Sequence, residues 1–336
     1  MKGDLWLVAN SLGVDRTGRL YYSVQPTTAN VFTATIDPST ARVLVPPSAV
    51  STGLERKQTP DWSPDGRSIA YVTRQTGFPA SGLGNFRIVI RSFETGEVQE
   101  LVPAMNVIQN VRWFPDGQSL LVLGANDKGR YGLYRLDVRS GAVLAAYFRP
   151  IEEGFFGPMI APDGKSVYYR AFTGEKDEFS QIMVRDLSSD QERELYRFRG
   201  NMGWASPSPD GRQLAFSVQE PYPTERVSIY VMPSSGGTPR EVVRLPAGAS
   251  SSAGVGPVAW TQTGHLLFAT RDDKKTNVVG ISRVALTKGP VEKLDISMTN
   301  LKSMRLHPDG RRLAFNGGER SLEIWVMEMT RVSTIT

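Results

Sequence analysis

The stretch "DWSPDGRSIAY" (Asp61–Tyr71) reads as the end of one strand, a tight turn and the start of a second strand. Pro64 pre-sets φ at the second position of a type I turn, Asp65 hydrogen-bonds to the local backbone, and Gly66 takes the positive φ that a following bulge needs. The phrase returns as "RWFPDGQSLLV" from Arg112, "IAPDGKSVYY" from Ile160, "SPSPDGRQLAF" from Ser206 and "RLHPDGRRLAF" from Arg305. Degenerate copies, "VDRTGRLYYSV" from Val14 and "WTQTGHLLFAT" from Trp260, fill the remaining gaps. The turn glycines Gly18, Gly66, Gly117, Gly164, Gly211, Gly264 and Gly310 stand 46 to 53 residues apart, which divides residues 1–336 into seven units and leaves no separate domain. Self-similarity at such a period is the mark of a repeat architecture.

Each unit has the same order of strands. After the turn come runs such as Leu120-Leu121-Val122-Leu123 and Val167-Tyr168-Tyr169, too short for helices and apolar on both alternating faces, so they must be covered on both sides. A third strand follows ("FRIVIRS", "YGLYRLDV", "SQIMVRDL", "VSIYVMPS", "LEIWVMEM"), then a fourth around Leu101, Val143, Leu195, Val242 and Leu294. Four antiparallel strands at this spacing make a propeller blade, and stacking blades about an axis buries both faces of each. The expected fold is all-β, a seven-bladed β-propeller. Its last unit runs only through its third strand, so the expected latch is the N-terminal strand Leu5–Val8 supplying the fourth; the rival segment is Val332–Ile335.

The phrase with its following strand and Thr-Gly turn resembles the TolB-type, WD-like bacterial β-propeller repeats, which also occur beside prolyl-oligopeptidase-like and tricorn-like catalytic domains. The resemblance implies a propeller and is architectural. The seven units depart from the six of the TolB pattern, and its N-terminal α/β domain has no counterpart here. Propellers of this style also serve as sensor-like parts of larger bacterial signalling proteins.

Composition narrows the functions. The chain has no cysteine, which excludes disulfide scaffolds, thiolate metal sites and cysteine nucleophiles but leaves either redox compartment open. No apolar run suits a secretory signal or a bilayer span, so the expectation is no membrane insertion, a cytoplasmic chain as written, and a periplasmic one if it is a trimmed fragment. The net charge of +5 comes from Lys and Arg scattered among Asp and Glu, so no nucleic-acid partner is expected. With no free sheet edge, a monomer is expected.

Catalytic signals are weak. Only His265 and His307 exist, both in turn motifs; "GASSSAG" lacks the nucleophile elbow, and no carboxylate pair has catalytic spacing. No catalytic residue, metal or cofactor is expected. Binding sites remain. The end opposite the turns carries the long connections Arg74–Asn85, Arg149–Gly157, Gln219–Arg226, Pro246–Gly256 and Arg271–Asn277, with the aromatics Phe78, Phe155, Phe156 and Tyr222, and with Trp204 at the start of an inner strand. These either meet a protein or peptide or pin down their own loops. A second candidate is the axial channel. Three residues before each turn proline or its equivalent stand Gly13, Asp61, Arg112, Met159, Ser206, Ala259 and Arg305. Asp61, Arg112 and Arg305 form either a polar channel for a peptide end or small anion, or an ion-pair and water network between blades. The function expected is a non-catalytic protein- or peptide-binding scaffold or sensor module, with a glycan-binding protein or polysaccharide lyase as the alternative.

Overall fold

The computed structural model describes residues 9–17, 19–24, 29–50, 55–74, 85–149, 154–173, 179–221, 223–245, 257–271, 278–287, 289–318 and 323–328. Every regular element among them is a strand. The chain opens with β1 (Ala9–Val14), β2 (Arg19–Val24), β3 (Asn30–Asp37) and β4 (Arg42–Ala49). Blade 1 follows as β5 (Arg56–Trp62), β6 (Ser68–Arg74), β7 (Phe86–Ser92) and β8 (Val98–Leu101). Blade 2 is β9 (Met105–Trp113), β10 (Ser119–Asn126), β11 (Tyr131–Asp137) and β12 (Val143–Phe148), and blade 3 is β13 (Phe156–Ile160), β14 (Ser166–Thr173), β15 (Phe179–Asp186) and β16 (Glu192–Arg199). Blade 4 has an interrupted inner strand, β17 (Asn201–Met202) and β18 (Ser206–Pro207), beside β19 (Gln213–Gln219), β20 (Val227–Pro233) and β21 (Arg240–Arg244). Blade 5 is β22 (Val258–Trp260), β23 (His265–Arg271), β24 (Val278–Ala285) and β25 (Glu292–Thr299), and the chain continues through β26 (Ser303–Leu306), β27 (Arg312–Gly317) and β28 (Glu323–Glu328).

The propeller has six blades, not the expected seven. The sixth is composite: β26 and β27 from the end of the chain pair with β3 and β4 from its beginning, in the order β26-β27-β3-β4. The strands displaced by this exchange, β1, β2 and β28, form a separate three-stranded sheet. Thus "LEIWVMEM" contributes to that sheet rather than to a blade. The candidate latch strands Leu5–Val8 and Val332–Ile335, like Gly18, lie outside the described residues, and the strand that continues the last unit is β3. The first unit fails as a blade for a visible reason. At the position that holds Trp62 or Trp260 in the ring, both buried, it has Val14, which is 58% exposed.

Each of the six blades touches two neighbours through its own apolar cluster. Between blades 1 and 2 lie Val72, Ile88, Met105, Val111 and Leu120; between 2 and 3, Phe114, Leu121, Phe155 and Tyr169; between 3 and 4, Tyr168, Ile182, Met202 and Phe216. Blades 4 and 5 share Ile229, Leu266 and Phe268; blade 5 and the composite blade share Ile281, Leu294, Leu313 and Phe315; the composite blade and blade 1 share Val31, Trp62 and Ile69. Second strands are therefore buried along their length, as in β10 up to Ala125, while outermost strands such as β4 are largely exposed.

The Pro-Asp-Gly turns share one end of the ring. Asp65 and Asp116 accept the N–H groups of Arg67 and Gln118, and Gly66, Gly117, Gly164, Gly211 and Gly310 hold φ between 65° and 73°. The turns also join blades. His307 Nε2 donates to the Gly66 carbonyl at 2.8 Å, its Nδ1 accepts the Asp309 N–H at 2.9 Å, and its ring stands edge-on to Trp62 at 4.7 Å. This histidine is a structural group at the joint between the composite blade and blade 1.

A Cβ at Gly66 would lie 2.3 Å from His307 Nε2, at a φ of 71° that L side chains rarely adopt. Gly66→Ala is expected to cost about 1–3 kcal/mol in urea unfolding, and the double variant with His307→Ala less than the sum of the singles. The turn aspartates set an acid limit. Burial opposes ionisation of Asp309, but the N–H groups of Arg311 and Arg312, the Arg312 guanidinium and His307 outweigh it and hold the carboxyl at about 2. A folded-state value below the ordinary 3.8 means stability that is present above that value and lost as pH falls toward about 2. Asp309→Asn should lower the melting temperature near neutral pH and shrink its decline between about pH 4 and pH 2.

Candidate functional site

The inner strands run from the loop end of the ring toward the turn end, so residues two apart on them face the axis at successive levels. The level predicted from sequence is a plug. Arg305 Nε lies 3.1 Å from Asp61 Oδ1, and Asp61 Oδ2 accepts the Trp113 N–H at 2.8 Å, linking the composite blade, blade 1 and blade 2. Arg305 also reaches across the axis to the Met159 sulfur of blade 3. Arg112, 2% exposed, donates to the Val111 carbonyl at 2.7 Å and to Thr59 O at 3.5 Å, while its Nε and Nη2 have no partner. Burial, and then the neighbouring Arg305 charge, pull the Arg112 guanidinium well below its ordinary value against the opposing pull of Asp61; burial does the same to Arg305. Asp61 and Arg305 form an ion pair between the composite blade and blade 1 at this level.

One level toward the loop end, each inner strand contributes a residue to a cavity of about 320 Å³: Thr59, Asn110, Gly157, Trp204, Pro257 and Ser303. These are the positions two residues before Asp61, Arg112, Met159, Ser206, Ala259 and Arg305. Phe156, Arg170, Gln58, Gln109, Leu123, Lys302 and Asn316 complete the wall. Among the described residues its lining holds the cations Arg170 and Lys302 and no carboxylate. Burial lowers the Arg170 guanidinium to about 10; its Nη1 donates to Asn201 Oδ1 at 3.0 Å and to the Met202 carbonyl, and its plane lies 4.5 Å from the Phe172 ring centre.

The inner strands are irregular at this level. Thr59, β-branched, has φ of 52° where the β5–β6 register shifts between Gln58 and Asp61. Gln109 is the extra residue where β9 slips against β10, Gly157 has φ of 57° within the shift between Phe156 and Met159, and blade 4 breaks its inner strand around Trp204. Bulges and strained backbone of this kind concentrate beside functional sites, where they re-aim side chains.

Of the residues singled out in the sequence, Phe156 and Trp204 line the cavity, whereas Asp61, Arg112 and Arg305 are not among its lining. Phe156 is 37% exposed and rests on Phe172, with ring centres 5.1 Å apart. Trp204 covers Gly157, where a Cβ would fall 2.1 Å from the indole, and lies over Arg112, whose guanidinium carbon is 5.8 Å from the ring centre. Phe155, expected at the surface, is 1% exposed and packs edge-on against Tyr169, because its strand turns it into the cluster between blades 2 and 3. Phe78 and Tyr222 lie outside the described residues, as does most of the long-loop segment. Sequence reasoning missed Thr59, Asn110, Arg170 and Ser303. The signal was available: the same ruler shifted by two residues gives the mixed series that lines the cavity.

No known protein-family model matches the chain. Among curated proteins, it is 28% identical over 166 residues to an uncharacterized peptidase, YuxL, of Bacillus subtilis, covering 49% of this chain and 22% of that protein. It is 28% identical over 138 residues to the Tol-Pal system protein TolB of Anaeromyxobacter dehalogenans, covering 38% of this chain and 29% of that one. The matched stretch therefore spans less than a third of either relative. Among solved structures, a TolB-type protein from Agrobacterium tumefaciens superposes with a TM-score of 0.67 at 18% identity over 87% of this chain and 99% of its own. An oligogalacturonate lyase in complex with manganese gives 0.53 at 14% identity, covering 90% and 76%. The class is an all-β propeller of four-stranded antiparallel blades. Within it, the fold is similar to that of TolB-type β-propellers.

The plug makes a stability test. Asp61→Ala leaves Arg112 and Arg305 facing each other without compensation, and is expected to cost about 3–5 kcal/mol in urea unfolding.

Proposed function

We propose that this propeller is a non-catalytic binding module whose axial cavity, at the loop end, receives a segment of a protein or peptide partner, as one unit of a larger bacterial polypeptide. The observation that carries this reading is the convergence of one residue from the inner edge of each of six blades on a cavity of about 320 Å³. A rigid frame with a small, part-aromatic cavity is the usual form of a recognition site, and this volume is at the small end of the range for ligand pockets. Phe156 and Trp204 supply rigid contact area of the kind that anchors partners. The resemblance to TolB, a protein of the Tol-Pal system by name, supports a protein-binding role; the Phe78 and Tyr222 loops would add contacts around the mouth.

The second reading is a glycan-binding protein or lyase, favoured by the superposition on oligogalacturonate lyase. That neighbour holds manganese, whereas among the described residues no group of three or more His, Cys, Asp or Glu is placed to hold a metal ion. His307 sits at the turn end, away from the cavity. Among the described residues no helix is long and apolar enough to cross a membrane.

Immobilised protein should recover one defined partner from a lysate of its source. Recovery should fall at least tenfold with Phe156→Ala or Trp204→Ala and be unchanged with Arg311→Ala on the turn face. Oligogalacturonate cleavage by the wild-type chain with manganese, with no partner recovered, would replace the binding reading by the lyase reading.

A further inference from the structure

We infer that the strands β2, β3, β27 and β28 hold two interchangeable pairings, and that trading partners opens the six-bladed ring at one joint and admits the first unit as a further blade. This goes beyond the binding role proposed above and does not rest on it.

The registers carry the inference. In the structure β2 lies against β28, with Arg19 opposite Glu328, Tyr21 opposite Val326 and Val24 opposite Glu323. In the same way β27 lies against β3, with Arg312 opposite Thr35, Ala314 opposite Thr33 and Gly317 opposite Asn30. Each of these ladders has six pairs without a register shift. If they trade partners and no strand slides, β2 meets β3 with Val24 opposite Asn30 and Arg19 opposite Thr35, while β27 meets β28 with Gly317 opposite Glu323 and Arg312 opposite Glu328. Both new ladders again have six pairs, and each is a hairpin with a connection of five residues, 25–29 and 318–322.

The hydrogen-bonding phase is kept as well. Ile36 N–H donates to the Arg311 carbonyl and Asp15 N–H to the Arg19 carbonyl. By the alternation of an antiparallel ladder, Thr33–Ala314 and Tyr21–Val326 are then both non-hydrogen-bonded pairs, so Tyr21 meets Thr33, and Ala314 meets Val326, in the phase they already have. A slip of one residue in either ladder removes this match.

Backbone pairing is therefore equal in the two arrangements, and packing decides between them. The exchange divides the composite blade. Its outer half, β3 and β4, keeps Val31 and Val50 against Trp62 and Ile69 of blade 1. Its inner half, β26 and β27, leads to the groups that grip blade 1 directly: Arg305, 3.1 Å from Asp61, and His307, bonded to the Gly66 carbonyl and edge-on to Trp62. These contacts latch the six-bladed ring and part when β1 and β2 enter between β26-β27 and blade 1. The entering and exchanged strands carry apolar surface that the six-bladed form leaves open. Val14, at the position of Trp62, is 58% exposed, and Val326, which comes to stand opposite the buried Ala314, is 50% exposed.

The chain has no cysteine, so introduced pairs report strand pairing without background. Non-hydrogen-bonded partners have Cα atoms about 4.5 Å apart, a separation that a disulfide spans. Thr33→Cys with Ala314→Cys reads the six-bladed pairing. Because Ala314 is buried, Thr35→Cys with Arg312→Cys repeats that reading at half-buried positions. Tyr21→Cys with Thr33→Cys reads the exchanged pairing, and Tyr21→Cys with Val143→Cys, on blade 2, reads global unfolding alone. Each variant is held in a glutathione redox buffer under native conditions, and disulfide in the monomer is followed by mass spectrometry. The six-bladed pairs are expected to close fastest, and Tyr21–Thr33 about tenfold faster than the blade 2 control. Val14→Asp leaves a charge at a position exposed now but buried after exchange, so it should slow the Tyr21–Thr33 disulfide about tenfold without changing the six-bladed pairs or the melting temperature. A Tyr21–Thr33 disulfide that forms no faster than the control, forms only between two molecules, or is indifferent to Val14→Asp overturns the inference. So does its formation where neither six-bladed pair closes.

Discussion

A sheet that is apolar on both faces cannot stop at its own edges; it must be covered twice. Each blade of this protein is such a sheet, and covering one face requires a neighbour that itself needs covering, so the strands settle into a ring in which every apolar face has a partner. The six clusters between neighbouring blades are the physical form of that requirement. A single truncation in one of them, such as the loss of the Phe216 or Phe268 ring, belongs to the class that costs about 3–5 kcal/mol. The same constraint decides what is left out. The first unit's inner strand presents an exposed Val14 where blades 1 and 5 bury a tryptophan, and its β1 and β2 lie in the separate sheet while its β3 and β4 join the composite blade.

This explains which parts of the architecture could be read from residues alone. The Pro-Asp-Gly phrase reports a local hairpin, and wherever it occurs the structure has that hairpin with glycine at positive φ. Apolar runs report burial, so strand identity and blade type were legible, down to fourth strands near Leu101, Val143, Leu195, Val242 and Leu294. Blade number was not, because counting turns assumes that each turn and the two strands after it stay together. The composite blade breaks that assumption: β3 and β4 follow the Gly18 turn in sequence but complete the sheet that begins with the Gly310 turn. Nothing local to β3 distinguishes the two destinations. The choice is made by which inner pair packs better, a comparison between segments some 280 residues apart.

The axis shows a related division. Charged residues before the turns were visible as a series, and their mutual contacts follow from their being one level of a narrow ring. The level above went unread, although the same ruler moved back by two residues reaches it, because bulges crowd it. Thr59, Gln109 and Gly157 stand where the period of two fails, and a reading built on strict alternation assigns such residues to the wrong face. Phe155 and Phe156 make the point within one dipeptide: adjacent rings in a loop look equivalent, yet the first falls into the cluster between blades 2 and 3 and the second onto the cavity wall.

The two ends of the ring differ in how fully their polar groups are used. At the turn end, Asp65, Asp116 and Asp309 accept backbone N–H groups, and His307 uses Nε2 across the joint between two blades and Nδ1 within its own turn. Chemistry consumed in holding the frame is unavailable to a ligand. At the level above the plug, Thr59, Asn110 and Arg170 carry polar atoms without a hydrogen-bond partner among the described residues, beside strands whose backbone departs from the regular ladder. Strain and unsatisfied atoms persist only where the surroundings are firm enough to impose them. The clusters on either side of each inner strand, and the Asp61–Arg305 contact beneath, provide that firmness.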